Sequence, residues 1–177
     1  GKVDGDPNAA EDVFAEPNAL FRGQRKEGFA RFSEVADAGL GAASVRTSRG
    51  AAVGDLDADG RLDVVIANRD SPAQLLVNRT PERSWIAFDV RDDSGAPALG
   101  AIVRVTVGAL RHRRSVRAAS SYLAAHDPRV FVGLADATAV DHVSVLWPDG
   151  HTRDFGRLDA KRVHVLARTA ALPDSNR

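Results

Sequence analysis

The sequence of 177 residues contains no cysteine. Disulfides, cysteine-based zinc sites and a cysteine nucleophile are therefore excluded. The lack of thiols fits any compartment and carries no redox information. Methionine is absent too. Translation starts on methionine, so the chain reads as trimmed, and the lack of a leader peptide is uninformative. No apolar run approaches the ~20 residues that a membrane-spanning helix needs. Net charge is lacking as well, because 24 Lys and Arg balance 24 Asp and Glu. Nothing in that total calls for nucleic acid or an anionic membrane as partner.

What remains is the composition of a folded protein. Hydrophobic residues make up 44% and charged residues 27%, which sets the chain apart from disordered sequences. The length allows one ordinary domain or two small ones. Residues 1–15 are polar and read as loop. NALFRG (Asn18 to Gly23) and FARFSEVA (Phe29 to Ala36) place apolar residues at nearly every second position, with Gly28 between them. That is a hairpin signal. AAVGDLDADGRLDVVIAN and AQLLVNR follow, separated by Ser71 and Pro72. Residues 18–79 thus read as four short antiparallel strands, the unit of a propeller blade or a small meander.

From residue 84 the alternation sharpens. In SWIAFDVRD, Trp85, Ala87 and Asp89 oppose Ile86, Phe88 and Val90. In AIVRVTVGA, Ile102 opposes Val103, Val105 and Val107. RHRRSVRAA, RVFVGLA, DHVSVLW and KRVHVLA continue at regular spacing, with turns at PDG (Pro148 to Gly150) and FGRLDA (Phe155 to Ala160). The expectation for residues 84–168 is an all-β sandwich or barrel. Only SSYLAAHD and ADATAV leave room for a helical turn, and residues 169–177 read as a loose tail.

The string GDLDADGRLDVV holds the densest chemistry. Asp55, Asp57, Asp59 and Asp63 stand at positions 1, 3, 5 and 9 of a loop, with Gly60 at position 6. Like charges this close repel unless a cation lies between them. Ca²⁺ takes six to eight oxygen ligands, and loops of this spacing supply carboxylates at 1, 3 and 5 with a glycine for the sharp turn. The backbone carbonyl of Arg61, at position 7, completes the expected set. An EF-hand needs Glu at position 12 and flanking helices, whereas here position 12 is Ile66 and the flanks are β-branched. The expectation is a strand–loop–strand calcium site with a structural role. Magnesium is the minor alternative, since it prefers to keep several waters. The competing reading is a solvated polar turn.

This loop, with RGAAVGDLDADGRLDVVIAN around it and PNALFRG and FARFSEVADAGL before it, resembles the FG-GAP (VCBS) repeat. The resemblance implies calcium and a propeller-type segment. The second half resembles the ASPIC/UnbV domain. LGAIVRV (Leu99 to Val105), VRAASSYLAAHDPRVFVGLA (Val116 to Ala135) and VDHVSVLWPDG (Val140 to Gly150) carry that likeness. Departures occur at Ala119, where the family usually has Gly, and at Ala125 and His126, where Gln and a small polar residue are usual. The resemblance implies a β-rich fold and calcium; it implies no reaction.

Two further clusters invite a function. RHRRSVR (Arg111 to Arg117) concentrates basic charge, either as a patch for acidic glycan or phosphate or, the favoured reading, as a solvated edge strand. SSYLAAHD brings Ser120, Ser121, Tyr122, His126 and Asp127 close in sequence. A serine–histidine–aspartate site is defined by geometry rather than by nearness, and no G-x-S-x-G elbow is present. The favoured reading is a structured loop, kept as a possible ligand or partner site. The histidines His112, His142, His151 and His164 have no metal-ligand spacing. Trp85 and Trp147 read as packing residues. Asn78 opens an NRT glycosylation pattern.

The expected protein is therefore a non-catalytic, calcium-binding β module. The resemblance to the family implies a role in recognition or adhesion outside the cell, toward a protein or glycan. The alternative is a cytoplasmic natural-product (enediyne-type) biosynthesis protein, which would bind a polyketide-like small molecule in an apolar pocket. An exposed strand edge would favour a homodimer in either case.

Overall fold

The computed structural model describes residues 14–26, 28–36, 38, 40, 45–69 and 71–169. Most of the N-terminal loop and the tail from Leu172 lie outside the described residues. The fold is all-β, with no helix among the described residues, including SSYLAAHD and ADATAV. The chain divides into two compact units.

The first unit takes the described residues up to Ala52, with Val64–Leu76 and Ser121–Leu123. Strands β1 (Phe21–Lys26) and β2 (Phe29–Glu34) form the expected antiparallel hairpin around Gly28. Strands β3 (Ser48–Gly54), β4 (Asp63–Asn68) and β5 (Gln74–Leu76) form a second sheet in that order. Among its described residues the segment thus holds five strands in two sheets, where the sequence suggested four. The long string from Ala51 to Asn68 contains parts of two strands, and the aspartates connect them. Ser48 ties this unit together: its Oγ accepts from Asn18 Nδ2 and donates to Asn68 Oδ1, both at 3.0 Å. Apolar burial is slight. Ile66 is buried, while Phe21, Phe29 and Phe32 are exposed.

The second unit takes Val53–Asp63, Val77–Ser120 and the chain from Ala124 onward. Its strands are β6 (Ser84–Arg91), β7 (Ile102–Val107), β8 (Leu110–Ser115), β9 (Val130–Ala135), β10 (Ala139–Leu146), β11 (Thr152–Asp159) and β12 (Val163–Ala167). One sheet runs β11-β10-β7-β8 and the other β12-β6-β9. Both feed one apolar core. Ile86 and Phe88 of β6, Val103 and Val105 of β7, Val132 of β9, Val143 and Val145 of β10 and Leu166 of β12 all join it. The residues are those on the apolar side of each alternating strand, as period-two patterning requires. Ala87 is also buried, because β6 is the central strand of its sheet. Trp147 joins the core, and its indole Nε1 donates to the Arg91 carbonyl at 3.3 Å.

One expected turn is a strand. Phe155 to Asp159 of FGRLDA lie within β11. Gly156, with φ +68°, marks a bulge where the pairing of β10 with β11 shifts register. A bulge admits a left-handed residue without ending the strand. Glycine and charged neighbours imitate a turn in sequence for that reason. Arg111 to Ser115 of the basic string fall on β8, at the edge of the four-stranded sheet.

Candidate metal centre

The aspartate loop joins β3 to β4. Its described residues Val53–Asp63 belong to the second unit. Asp55 and Asp63 are buried, at 8% and 2% exposure. Their carboxylates organise the backbone. Asp55 accepts from the amides of Asp59 (3.1 Å) and Gly60 (3.0 Å). Asp63 accepts from Leu56 N (3.1 Å) and Asn78 N (2.8 Å). Ala58 and Gly60 both have positive φ, 60° and 83°, which curls the loop tightly. The loop also lies close against Trp85: a Cβ added to Gly60 would fall 1.9 Å from the indole.

Asp55, Asp57 and Asp63 each offer one carboxylate oxygen within 4.8 Å of the others. Asp57 is exposed and carries the third carboxylate to the cluster. Asp59 points elsewhere: its carboxylate pairs with the Arg61 guanidinium and accepts from Arg61 N at 2.8 Å. Arg61 Nε in turn donates to the Asn78 carbonyl at 2.9 Å. The donor set is all oxygen, which suits a hard cation. Each ionised carboxylate has about four lone-pair sites. The amide bonds to Asp55 and Asp63 therefore leave acceptor capacity toward a shared ion. On these grounds the residues present fit a Ca²⁺ or Mg²⁺ ion.

The second unit braces this loop from the string AHDPR. Asp127 N donates to Val53 O at 3.0 Å. Arg129 holds Asp127 through Nε, at 3.0 and 2.8 Å to its two oxygens, and through Nη2. Arg129 Nη2 also approaches the Asp55 carbonyl at 3.4 Å. The hydrogen bond to Asp127 raises the Arg129 pKa further, so the guanidinium stays charged. Its charge lies 5.3 Å from the Phe131 ring centroid, within cation–π range. Removing Arg129 unpairs a half-buried carboxylate. Arg129→Ala is expected to cost about 1.5–3 kcal/mol, the range for charged hydrogen bonds, readable as a shift in the urea midpoint.

The Ser120 and His126 side chains do meet, at 2.9 Å between Oγ and Nε2. Their roles follow from the other ring nitrogen. Val53 N donates to His126 Nδ1 at 3.1 Å, so Nδ1 is an acceptor and the proton sits on Nε2. That proton is donated to Ser120 Oγ. The arrangement presents no base to the serine and works as a loop tie, together with His126 N donating to Ala118 O at 2.6 Å. Asp127 is engaged with Arg129. Ser121 and Tyr122 belong to the other unit, and both are exposed.

Among the described residues, no histidine joins a metal-capable cluster. His142 contacts Asp154 at 3.3 Å, and His164 Nε2 lies 2.8 Å from the Asp159 carbonyl. Asn78 of the NRT pattern accepts from Thr80 N and Oγ1 at 3.0 and 2.8 Å, an Asx-type turn. Sequence spacing did not reveal the contributions of Trp85, Asn78 or Arg129 to the loop. A separate polar groove of about 390 Å³ is lined by Glu82, Ser84, Asp136 and Lys161, among others. Its ion pair, Lys161 Nζ to Glu82 Oε1 at 2.7 Å, holds the Glu82 carboxyl below its usual range.

Comparison with known proteins agrees with the second half of the chain. Residues 91–173 match the family described as ASPIC and UnbV. Cartilage acidic protein 1 of Xenopus tropicalis is 32% identical over 138 residues, covering 75% of this chain and 21% of the relative. The human and mouse proteins of that name are each 33% identical with the same coverage. The chain thus spans about a fifth of the length of these curated relatives. No described helix is long and apolar enough to cross a membrane. Residues 91–173 carry an ASPIC/UnbV domain, in a chain homologous to cartilage acidic protein 1.

Proposed function

We propose that the chain is a non-catalytic, calcium-binding module of an extracellular protein. In this reading a propeller-type FG-GAP segment, residues 16–80, leads into the ASPIC/UnbV domain, and the whole serves recognition or adhesion toward a protein or glycan. The observation that carries the metal assignment is the convergence of Asp55, Asp57 and Asp63 within 4.8 Å. Their mutual repulsion needs a cation, and their oxygens suit calcium. The name of the relatives, cartilage acidic protein 1, supports a matrix setting. Bound calcium would neutralise the clustered charge. The chain's own work is to hold the carboxylates in place: Asp55 and Asp63 through backbone amides, and the loop tip through Trp85. His126 is tied to Val53 and Ser120, which supports a structural rather than a nucleophilic use of that loop.

Calcium titration by calorimetry, with melting in calcium and in chelator, tests this on the wild type and on Asp57→Ala. Asp57 is exposed, so its removal spares the packing. A ligand at one hundred times its Kd stabilises by about 2.7 kcal/mol. For a chain of this size that is roughly 5–10 °C in Tm. The expected result is such a shift in the wild type and its loss in Asp57→Ala. Identical melting in calcium and chelator would remove the metal from the proposal.

A further inference from the structure

The sheet β11-β10-β7-β8 turns Val103 and Val105 toward the core. Its other face is polar. Strand pairing sets Arg104 directly opposite Arg113, and Thr106 opposite Arg111. Paired residues share a face, and all three arginines are exposed. They therefore project together from the side away from Val103 and Val105. Like charges directly opposite one another destabilise a sheet, so folding gains nothing from Arg104 facing Arg113.

These cations are uncommitted. Arg104 and Arg113 have no side-chain hydrogen bond or ion pair among the described residues. Arg111 spends Nη1 on the carbonyls of Gly108 (2.9 Å) and Leu110 (3.2 Å), leaving the rest of its fork. In the same unit Arg61, Arg83, Arg91, Arg129 and Arg168 each hold a carboxylate. The acid in the row of Arg104 is Asp154, beyond Ser144, and it contacts His142.

We propose that this face docks a sulfated polysaccharide. The guanidinium fork matches the oxygens of a tetrahedral anion bidentately. Directly opposed Cβ atoms lie about 5 Å apart and diagonal pairs about 7–8 Å apart, so three long side chains can grip sulfates on neighbouring sugars. Thr106 adds a hydroxyl beside them. Single-stranded nucleic acid fits less well: Ile102, Arg104, Thr106, Arg111, Arg113 and Ser115 include no aromatic on which a base could stack. A lipid surface also fits less well. Leu110, the exposed apolar residue at the hairpin tip, is paired with Val107 and so lies on the face away from the arginines. The docking face names a partner class for the recognition role proposed above. It uses no residue of the carboxylate loop.

The test is calorimetry of the full chain with a size-defined heparin oligosaccharide at physiological salt. The wild type is expected to bind. Arg104→Ser/Arg113→Ser is expected to bind about tenfold more weakly or worse, because two charge-assisted contacts are lost. The charge-matched control Arg83→Ser/Arg162→Ser is expected to change by less than about twofold, because those side chains lie outside the face. Desulfated heparin is expected not to bind. Melting of both double variants checks that they fold, and an intact calcium response in them separates failure here from failure of the metal site. Four results overturn the proposal: no binding by the wild type, equal losses in the two double variants, equal binding of desulfated heparin, or equal affinity for a DNA oligonucleotide or anionic vesicles.

Discussion

Gly60→Ala lowers the stability of the second unit by about 2–5 kcal/mol. Two costs add. At φ 83° an alanine adopts a left-handed backbone, which costs an L-residue roughly 1–2 kcal/mol. The new methyl would also fall 1.9 Å from the Trp85 indole, and overpacking of this kind costs about 1–3 kcal/mol. The indole cannot simply swing away without losing its packing beside Phe131, 6.3 Å between centroids. Urea denaturation of Gly60→Ala, Trp85→Ala and the double variant separates the two costs. In the Trp85→Ala background only the backbone cost of ~1–2 kcal/mol should remain. An unchanged penalty there would show that the indole does not confine the loop.

Phe88→Ala is the second large effect, at about 3–5 kcal/mol. Phe88 is fully buried on the central strand β6, between β12 and β9. Deleting its ring removes apolar burial and leaves a cavity that two sheets cannot close over. Domain stabilities are typically 5–15 kcal/mol, so this variant sits near the edge of folding. Phe32→Ala is the control. Phe32 is 72% exposed in the other unit, and exposed substitutions usually stay within about 0.5 kcal/mol. The urea midpoint should fall for Phe88→Ala and hold for Phe32→Ala; equal costs would contradict the placement of the core.

Alternation made β6 and β7 legible, because period-two burial leaves its pattern in every second residue. Ile86, Phe88, Val103 and Val105 are the apolar sides that the sequence marks, and all are buried. β11 was hidden because its bulge uses the same residues as a turn. The aspartates were legible as a group but not as individuals. Spacing treats Asp59 like Asp57, yet Arg61, two residues on, engages Asp59 in a local pair that spacing does not register. Nearness in sequence also joined Ser120 to His126 without showing which one donates. That was decided by the amide of Val53, seventy-three positions from His126. Apart from that local pair, the contacts that sequence left unread are long-range ones, in which a backbone group or an indole from elsewhere decides what a local motif does.

The parallel pairing of β12 with β6 has a consequence for biosynthesis. Val163 lies against Ala87 and Ala167 against Arg91, so one edge of the central strand is completed by the last strand described. Such non-local pairing raises contact order, and folding is then typically in the range of milliseconds to seconds. While the chain is being made, β6 can recruit β9, but its other edge stays open until residue 167 has emerged from the ribosome. A nascent chain stalled before β12 would expose a Val- and Phe-rich strand edge, an invitation to pair with another copy. The interval of greatest risk is therefore the one between the emergence of β6 and that of β12, when the central strand has one edge unpaired.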